Sequence, residues 1–265
     1  MRDEEISLAI DPGRVLRILL CAVATLLALH LGSQVLKYQF GSDYQFGLNR
    51  WVDLDEEANL PTWYSAFSLL TCSALLGMIA WMTNKLGRGH QAAWIGLSVL
   101  FLYLSLDEAT ALHETVLAAV VTKYAGAAER LLPQSTHVAP GWVIAGAALV
   151  LSIGAMYVRF LFTLPTTTRW LFIMSGVLFV SGGLGMEVIG AGYDADHGHA
   201  DLRYALIVAF EEGGEMAGVA LFLYALLGHI RHLLGHGAVH VSIASPNARS
   251  VQDPSALHEG ARAAI

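Results

Sequence analysis

Asp107, Glu108, His113 and Glu114 fall together in the run Leu104-Ser105-Leu106-Asp107-Glu108-Ala109-Thr110-Ala111-Leu112-His113-Glu114, inside a long apolar stretch. Glu211, Glu212 and Glu215 lie in a second apolar stretch, and Glu187 interrupts a third. A charged side chain at membrane depth costs at least ~2.5–3.5 kcal/mol even on mild insertion scales, so each of these residues marks a candidate functional site. Carboxylates that gather with few basic partners cannot all be ionised and dry. They share protons, bind a cation or stay wet. The first two options are chemistry, and the third is a solvated vestibule.

An oxygen-rich set with one imidazole suits Mn, Fe, Mg or Ca better than structural Zn. In this reading Asp107, Glu114, Glu187, Glu211 and Glu215 supply oxygen ligands to a divalent metal ion, and His113 supplies a nitrogen. Glu108 and Glu212 remain as general acid or base, because neighbouring carboxylates disfavour a further negative charge. Helix phase supports part of this. Asp107 and Glu114 are seven residues apart and share a face with Thr110 between them. Glu211 and Glu215 are an i,i+4 pair, and Glu212 and Glu215 an i,i+3 pair. His113 and Glu108 point away from the Asp107–Glu114 line.

The elements that must position these residues follow from composition. The 265 residues are 55% hydrophobic and 14% charged, with mean hydropathy +0.54. A soluble domain carries about 25% charged residues, and runs of about twenty apolar residues predict membrane helices rather than barrel strands. The expected fold is all-α: a polytopic integral membrane protein with six transmembrane helices in one bundle. The spans are predicted near 16–36, 62–83, 92–117, 141–163, 170–190 and 204–228. Residues 1–15 form a cytoplasmic head, 16–228 the transmembrane domain, and 229–265 a cytoplasmic, His-containing tail with no sustained apolar pattern, expected to be disordered.

Basic residues orient the bundle. With both termini cytoplasmic, ten of the fifteen Lys and Arg fall inside and five outside, as expected for a plasma (inner) membrane protein. At 1.5 Å per residue Asp107 then stands ~24 Å and Glu187 ~27 Å above the inner ends of their spans, and Glu211 to Glu215 lie ~14–20 Å below an outer end. The acidic segment Asp53-Leu54-Asp55-Glu56-Glu57-Ala58-Asn59-Leu60-Pro61 sits at the outer surface. The acids of four segments thus share one level, facing outward. Glycines 182, 183, 185, 190 and 192 in the fifth span, and 213, 214 and 218 in the sixth, predict close packing of these two helices.

Other polar groups read as structure. His30 has no local acid and is expected to be a packing residue. Asp194, Asp196, His197, His199 and Asp201 fit an exposed turn. His232 and His236 are spaced to chelate zinc, but no nearby Cys or acid completes a tetrahedral set. Cys21 and Cys72 lie in apolar runs as small hydrophobes. The first span lacks a small-x-small cleavage site and is expected to remain uncleaved. Trp51, Trp63, Trp142 and Trp170 near span ends are interfacial anchors.

Phosphate-cradling Gly loops, the Gly-x-Ser-x-Gly elbow, His-Glu-x-x-His and paired Glu-x-x-His are absent from the sequence. Asp55-Glu56-Glu57-Ala58-Asn59 followed by Ser65 resembles the acidic-Asn opening of the membrane alkaline ceramidases over about a dozen residues. The His pair that those zinc hydrolases use in a late span has no counterpart here, because the sixth span carries acids, so the resemblance implies no shared activity.

The functional expectation is a divalent-metal-dependent membrane enzyme acting on a lipid-soluble substrate. A proton- or cation-coupled transporter would use the same acids as a relay, though the inner halves of the spans are poor in polar residues. A subunit of a larger membrane complex would have them sealed by a membrane protein partner. The expected surroundings are the lipid bilayer and a lipid-soluble small molecule or cation. With net charge -7 and no basic stripe, nucleic acid is not an expected partner.

Overall fold

The long apolar runs fold as helices, and their ends are set by local chemistry. The computed structural model describes residues 7–41, 48–112, 141–235 and 240–242. Helix α1 (Pro12–Phe40) starts where the Asp11 carboxylate accepts a hydrogen bond from the Gly13 N–H, with Pro12 in the first turn, and stops at Gly41 in the left-handed conformation. Both devices match the preferences of helix termini. A short helix α2 (Leu48–Val52) leads into α3 (Leu60–Lys85), capped by Asn59 with Pro61 in its first turn. Residues 86–90 connect α3 to α4 (Gln91–Thr110). Then come α5 (Gly141–Thr163) and α6 (Thr166–Val180), which begins right after Pro165. Beyond α6 the helix widens into one π-helical segment, Ser181–Met186, and continues as α7 (Glu187–His197). Helix α8 (Leu202–Leu233) is capped by Asp201, whose carboxylate accepts from the Tyr204 N–H.

Five of these helical runs are long and apolar enough to cross a membrane: Pro12–Phe40, Leu60–Lys85, Gln91–Thr110, Gly146–Thr163 and Thr166–His197. Their outer faces are greasy. Leu151 is 73% and Phe162 67% exposed, and Ile18, Phe67, Trp81 and Val99 are exposed as well. So much uncovered apolar surface is costly in water and natural against lipid tails. The predicted span ends at 36, 190 and 228 fall within longer helices. The helices run on to Phe40, His197 and Leu233, so the boundary placed at 228 cuts through α8. Past residue 112 the third span lies outside the described residues.

Helix α8 is the hub, packed on α1, α3, α6 and the π segment. Met216, Ala220, Leu226 and Ile230 on it are almost wholly buried. Helices α1, α6 and α4 run antiparallel to it: Leu27 of α1 lies by Gly213, Phe179 of α6 by Gly218, and Phe101 of α4 stacks on Phe222 with ring centroids 4.7 Å apart. The α3–α4 pair is fastened at its middle by reciprocal bonds. Ser73 Oγ donates to Ser98 O (2.8 Å) and Ser98 Oγ to Ser73 O (2.9 Å). Such bonds satisfy hydroxyls that lipid cannot. Helix α5 touches the rest lightly, through Tyr157, whose hydroxyl donates to Ala93 O and closes over Gly96.

In a second unit, made of the two chain ends, β1 (Ser7–Ala9) pairs antiparallel with β2 (His240–Ser242), with Leu8 opposite Val241.

Candidate functional site: carboxyls at one end of the bundle

The π segment sets the geometry of the acids. One extra residue in a helical turn rotates everything after it by about 100° relative to an unbroken α-helix. Glycines let this wide turn lie directly on α8. A Cβ on Gly182 would fall 2.7 Å from Glu211 O and 2.8 Å from Glu215 N, and one on Gly183 would collide with the Glu215 carboxylate. Gly214 meets Gly182 backbone to backbone. The close contact expected between the glycine-rich spans is therefore present, and it seats Glu187 beside α8.

There the side chains of Glu187 and Glu211 hydrogen-bond to each other. A bond between two carboxyls requires a proton on one of them, since an ionised carboxylate only accepts. Glu211 also interacts electrostatically with Glu212 and Asp55, Glu212 with Glu108 and Asp55, and Glu215 with Glu212, Glu108 and Glu211. Glu108, Glu187, Glu211, Glu212 and Glu215 thus sit at one end of the bundle, from three helical segments, with Asp55 of the α2–α3 connection beside them. On α4, the charge of Glu108 reaches Glu212 and Glu215. His113 and Glu114 lie outside the described residues. Among the described residues no group of three or more His, Cys, Asp or Glu side chains is placed to hold a metal ion.

A polar platform braces this end. His30, fully buried in α1, is structural as expected, but it does meet an acid, Asp53. Its Nε2 lies 3.2 Å from Ala205 O at the start of α8, and its Nδ1 lies 3.1 Å from the Leu54 N–H and 3.2 Å from Asp53 Oδ1. Gln34 donates to Asp53 Oδ2 at 2.7 Å. Asn59, 1% exposed, knots the connection: its amide donates to the carbonyls of Arg50, Asp53 and Glu56, and its Oδ1 accepts from the Thr62 N–H. His30 thus ties α1, the acidic loop and α8 together. The helix start at Asn59-Leu60-Pro61 is legible in sequence, but the His30–Asp53 contact spans 23 positions and two helices and leaves no local signal. In the α7–α8 turn, His199 Nδ1 lies 3.1 Å from Asp194 Oδ1, and the Tyr193 hydroxyl donates to Asp201.

Burial alone would raise the Asp53 pKa, but hydrogen bonds from His30, the Asp55 N–H and Gln34 outweigh it and hold the carboxyl below its ordinary value of 3.8. A carboxyl depressed in the folded state stabilises above its unfolded pKa and loses that contribution as pH falls through the folded one. Asp53→Asn is therefore expected to cost about 1–3 kcal/mol near neutrality, the range for disturbing a buried hydrogen-bonded group. The gap to wild type should close below about pH 4 as Asp53 protonates. Melting curves of the two proteins from pH 7 to pH 3 check this, and a gap independent of pH contradicts it.

Beneath the acids an apolar cavity of about 240 Å³ opens between α4, α5, α6 and α8, lined among others by Phe101, Leu104, Tyr157, Phe179, Val219 and Phe222. Leu104 is one helical turn before Glu108, and Val219 one turn after Glu215. Residues of the cavity wall thus lie one helical turn from two of the carboxyls.

Helices bearing buried polar contacts inside and bare apolar faces outside define a multi-pass α-helical membrane protein. Within that class, the chain belongs to the family described as domain of unknown function DUF8692, which matches residues 16–230. No curated protein and no solved structure matches it.

Proposed function

We propose that the chain crosses the plasma membrane six times, α8 being the sixth span, with both termini cytoplasmic, and that its acidic end is the site of an enzyme acting on a lipid-soluble substrate. The observation that carries this reading is the position of Glu108 and Glu215 one turn above an apolar cavity at membrane depth. An amphipathic molecule can enter such a cavity from the bilayer with its polar end against the carboxyls. Glu212 and Glu108 are the proposed general acid and base. Proton transfer by a positioned carboxyl contributes 10²–10⁴-fold, and works best where neighbouring charge brings its pKa toward the operating pH.

The divalent metal ion expected from the sequence belongs to the same proposal. It rests on Glu187, Glu211 and Glu215 being joined by His113 and Glu114 or by substrate oxygens. Metal analysis of the purified protein should then find a divalent ion near stoichiometric amounts, and chelation should lower the melting temperature, because a ligand of the folded state stabilises it. Glu215→Gln should weaken metal retention and Asp196→Asn, on the exposed turn, should not. A metal-free protein indifferent to added divalent ions removes the metal and leaves acid–base chemistry by the carboxyls.

The neighbouring side chains of Glu187 and Glu211 favour a second reading, a proton-coupled carrier, because two acids held side by side can share a proton. The aromatic layer of Trp94, Phe101, Phe160, Phe172 and Phe222 between the two ends of the bundle weighs against it, since contacting rings offer no carboxyl to continue a relay.

A further inference from the structure

The apolar cavity between α4, α5, α6 and α8 is shut on one side and open on another. Val219 and Phe222 of α8, at 5% and 7% exposure, form its deep wall. Gly154 of α5 and Gly176 of α6 also line it, yet both are exposed, and a Cβ on either would meet nothing within 4 Å. These two glycines therefore stand as the lips of an opening between α5 and α6. Gly154 lies at the middle of the apolar run Gly146–Thr163. In a membrane the opening then faces the hydrocarbon core, where lipid tails are the neighbours. Among the described residues of the wall only Tyr157 and Ser175 carry polar side chains, and their hydroxyls already donate to Ala93 O and Phe172 O. A space with no polar group to offer stays dry and takes hydrocarbon.

Volume then selects the tail. At about 30 Å³ for a water-sized group, a methylene being of similar size, the cavity of about 240 Å³ holds roughly eight such groups. It lies below the ~300–1,000 Å³ of drug-sized pockets, so the paired acyl chains of a bilayer phospholipid and the fused rings of a sterol are too large for it. We infer that the cavity binds about eight carbons of one unbranched hydrocarbon chain, admitted from the bilayer between Gly154 and Gly176, and that this chain is the tail of the substrate. The substrate class is thus a single-chain amphiphile. Leu104 and Val219 of the wall lie one helical turn from Glu108 and Glu215, which puts the head of such a molecule at the carboxyls. The assignment of the chain to a substrate rests on the enzymatic reading of those carboxyls; the binding of the chain does not.

The test uses the full chain in phosphatidylcholine nanodiscs and a photoactivatable probe, octanol carrying a diazirine at its seventh carbon. On irradiation the carbene inserts into the side chain it touches. Val219 and Phe222 are shielded from bulk lipid, so only a chain inside the cavity labels them. Saturable labelling at these two residues is the expected result. Unlabelled straight-chain alcohols at equal bilayer concentration should protect increasingly from butanol to octanol and no further with decanol, and a sterol should not protect. Gly154→Leu and Gly176→Leu, which place a side chain in the opening, should cut labelling about tenfold or more while melting near wild type. Gly32→Leu, in open space on α1, should leave labelling unchanged. Absent labelling of the two α8 residues, labelling indifferent to both opening variants, or protection by the sterol and not by octanol overturns the chain site. Turnover is measured in the same proteins. Wild-type turnover by Gly176→Leu when its labelling is lost would deny the chain its role as substrate tail. Labelling without turnover by the wild type would keep the chain site and remove the enzyme.

Discussion

Gly182→Val should destabilise the bundle by about 3 kcal/mol, the upper part of the usual range for overpacking. The atoms a Cβ would meet, Glu211 O and Glu215 N, are backbone of the central helix and cannot swing aside. The π segment and α8 would have to move apart, which also lifts Glu187 away from Glu211. Gly176→Ala, in α6 where a Cβ meets nothing within 4 Å, should be neutral or stabilising by about 0.5–1 kcal/mol, the ordinary gain of Ala over Gly within a helix. Unfolding of the two variants in detergent separates packing from propensity. A Gly182→Val protein that melts with wild type would mean that the two helices do not meet at this point.

Glu212→Gln and Glu108→Gln should each lower turnover by roughly 10²–10⁴-fold, the usual contribution of a positioned acid or base. The amide keeps the size of the side chain but can no longer take up or release a proton. Stability should hold or rise, because the substitution removes a negative charge from among other carboxyls. Loss of activity together with an unchanged or higher melting temperature is the signature that separates chemistry from folding. Asp107→Asn is the informative neighbour. Glu108, whose charge reaches Glu212 and Glu215, is the proposed acid or base on α4, so Asp107→Asn should affect turnover far less than Glu108→Gln.

Much of this was legible in the sequence, for physical reasons that differ between residues. Long apolar runs have few ways to satisfy their backbone in lipid, so helices were the natural expectation. Acids inside such runs were conspicuous because they are expensive there. Glycine spacing in two consecutive runs foretold their contact. Helix phase was a weaker guide. It gave no sign that the charge of Glu108 would reach Glu212 and Glu215, and it could not foresee the π segment that re-aims Glu187. The platform of His30, Gln34, Asp53 and Asn59 depends on contacts between α1, the α2–α3 connection and α8. No local pattern encodes such contacts. Phe101 of α4, Gly154 of α5 and Val219 of α8 likewise line one cavity only after helices far apart in sequence have been brought together.

The central claim, that carboxyls at one end of the bundle transform a lipid-soluble molecule, is tested most directly by its product. Membranes carrying the wild-type chain, the Glu212→Gln/Glu215→Gln double variant or no protein can be incubated side by side and their organic extracts compared by mass spectrometry. The account predicts at least one lipid-soluble species consumed and one formed with the wild type alone. Extracts identical across all three membranes, alongside proton movement in liposomes that only the wild type supports, would contradict it and establish the carboxyls as a carrier's relay.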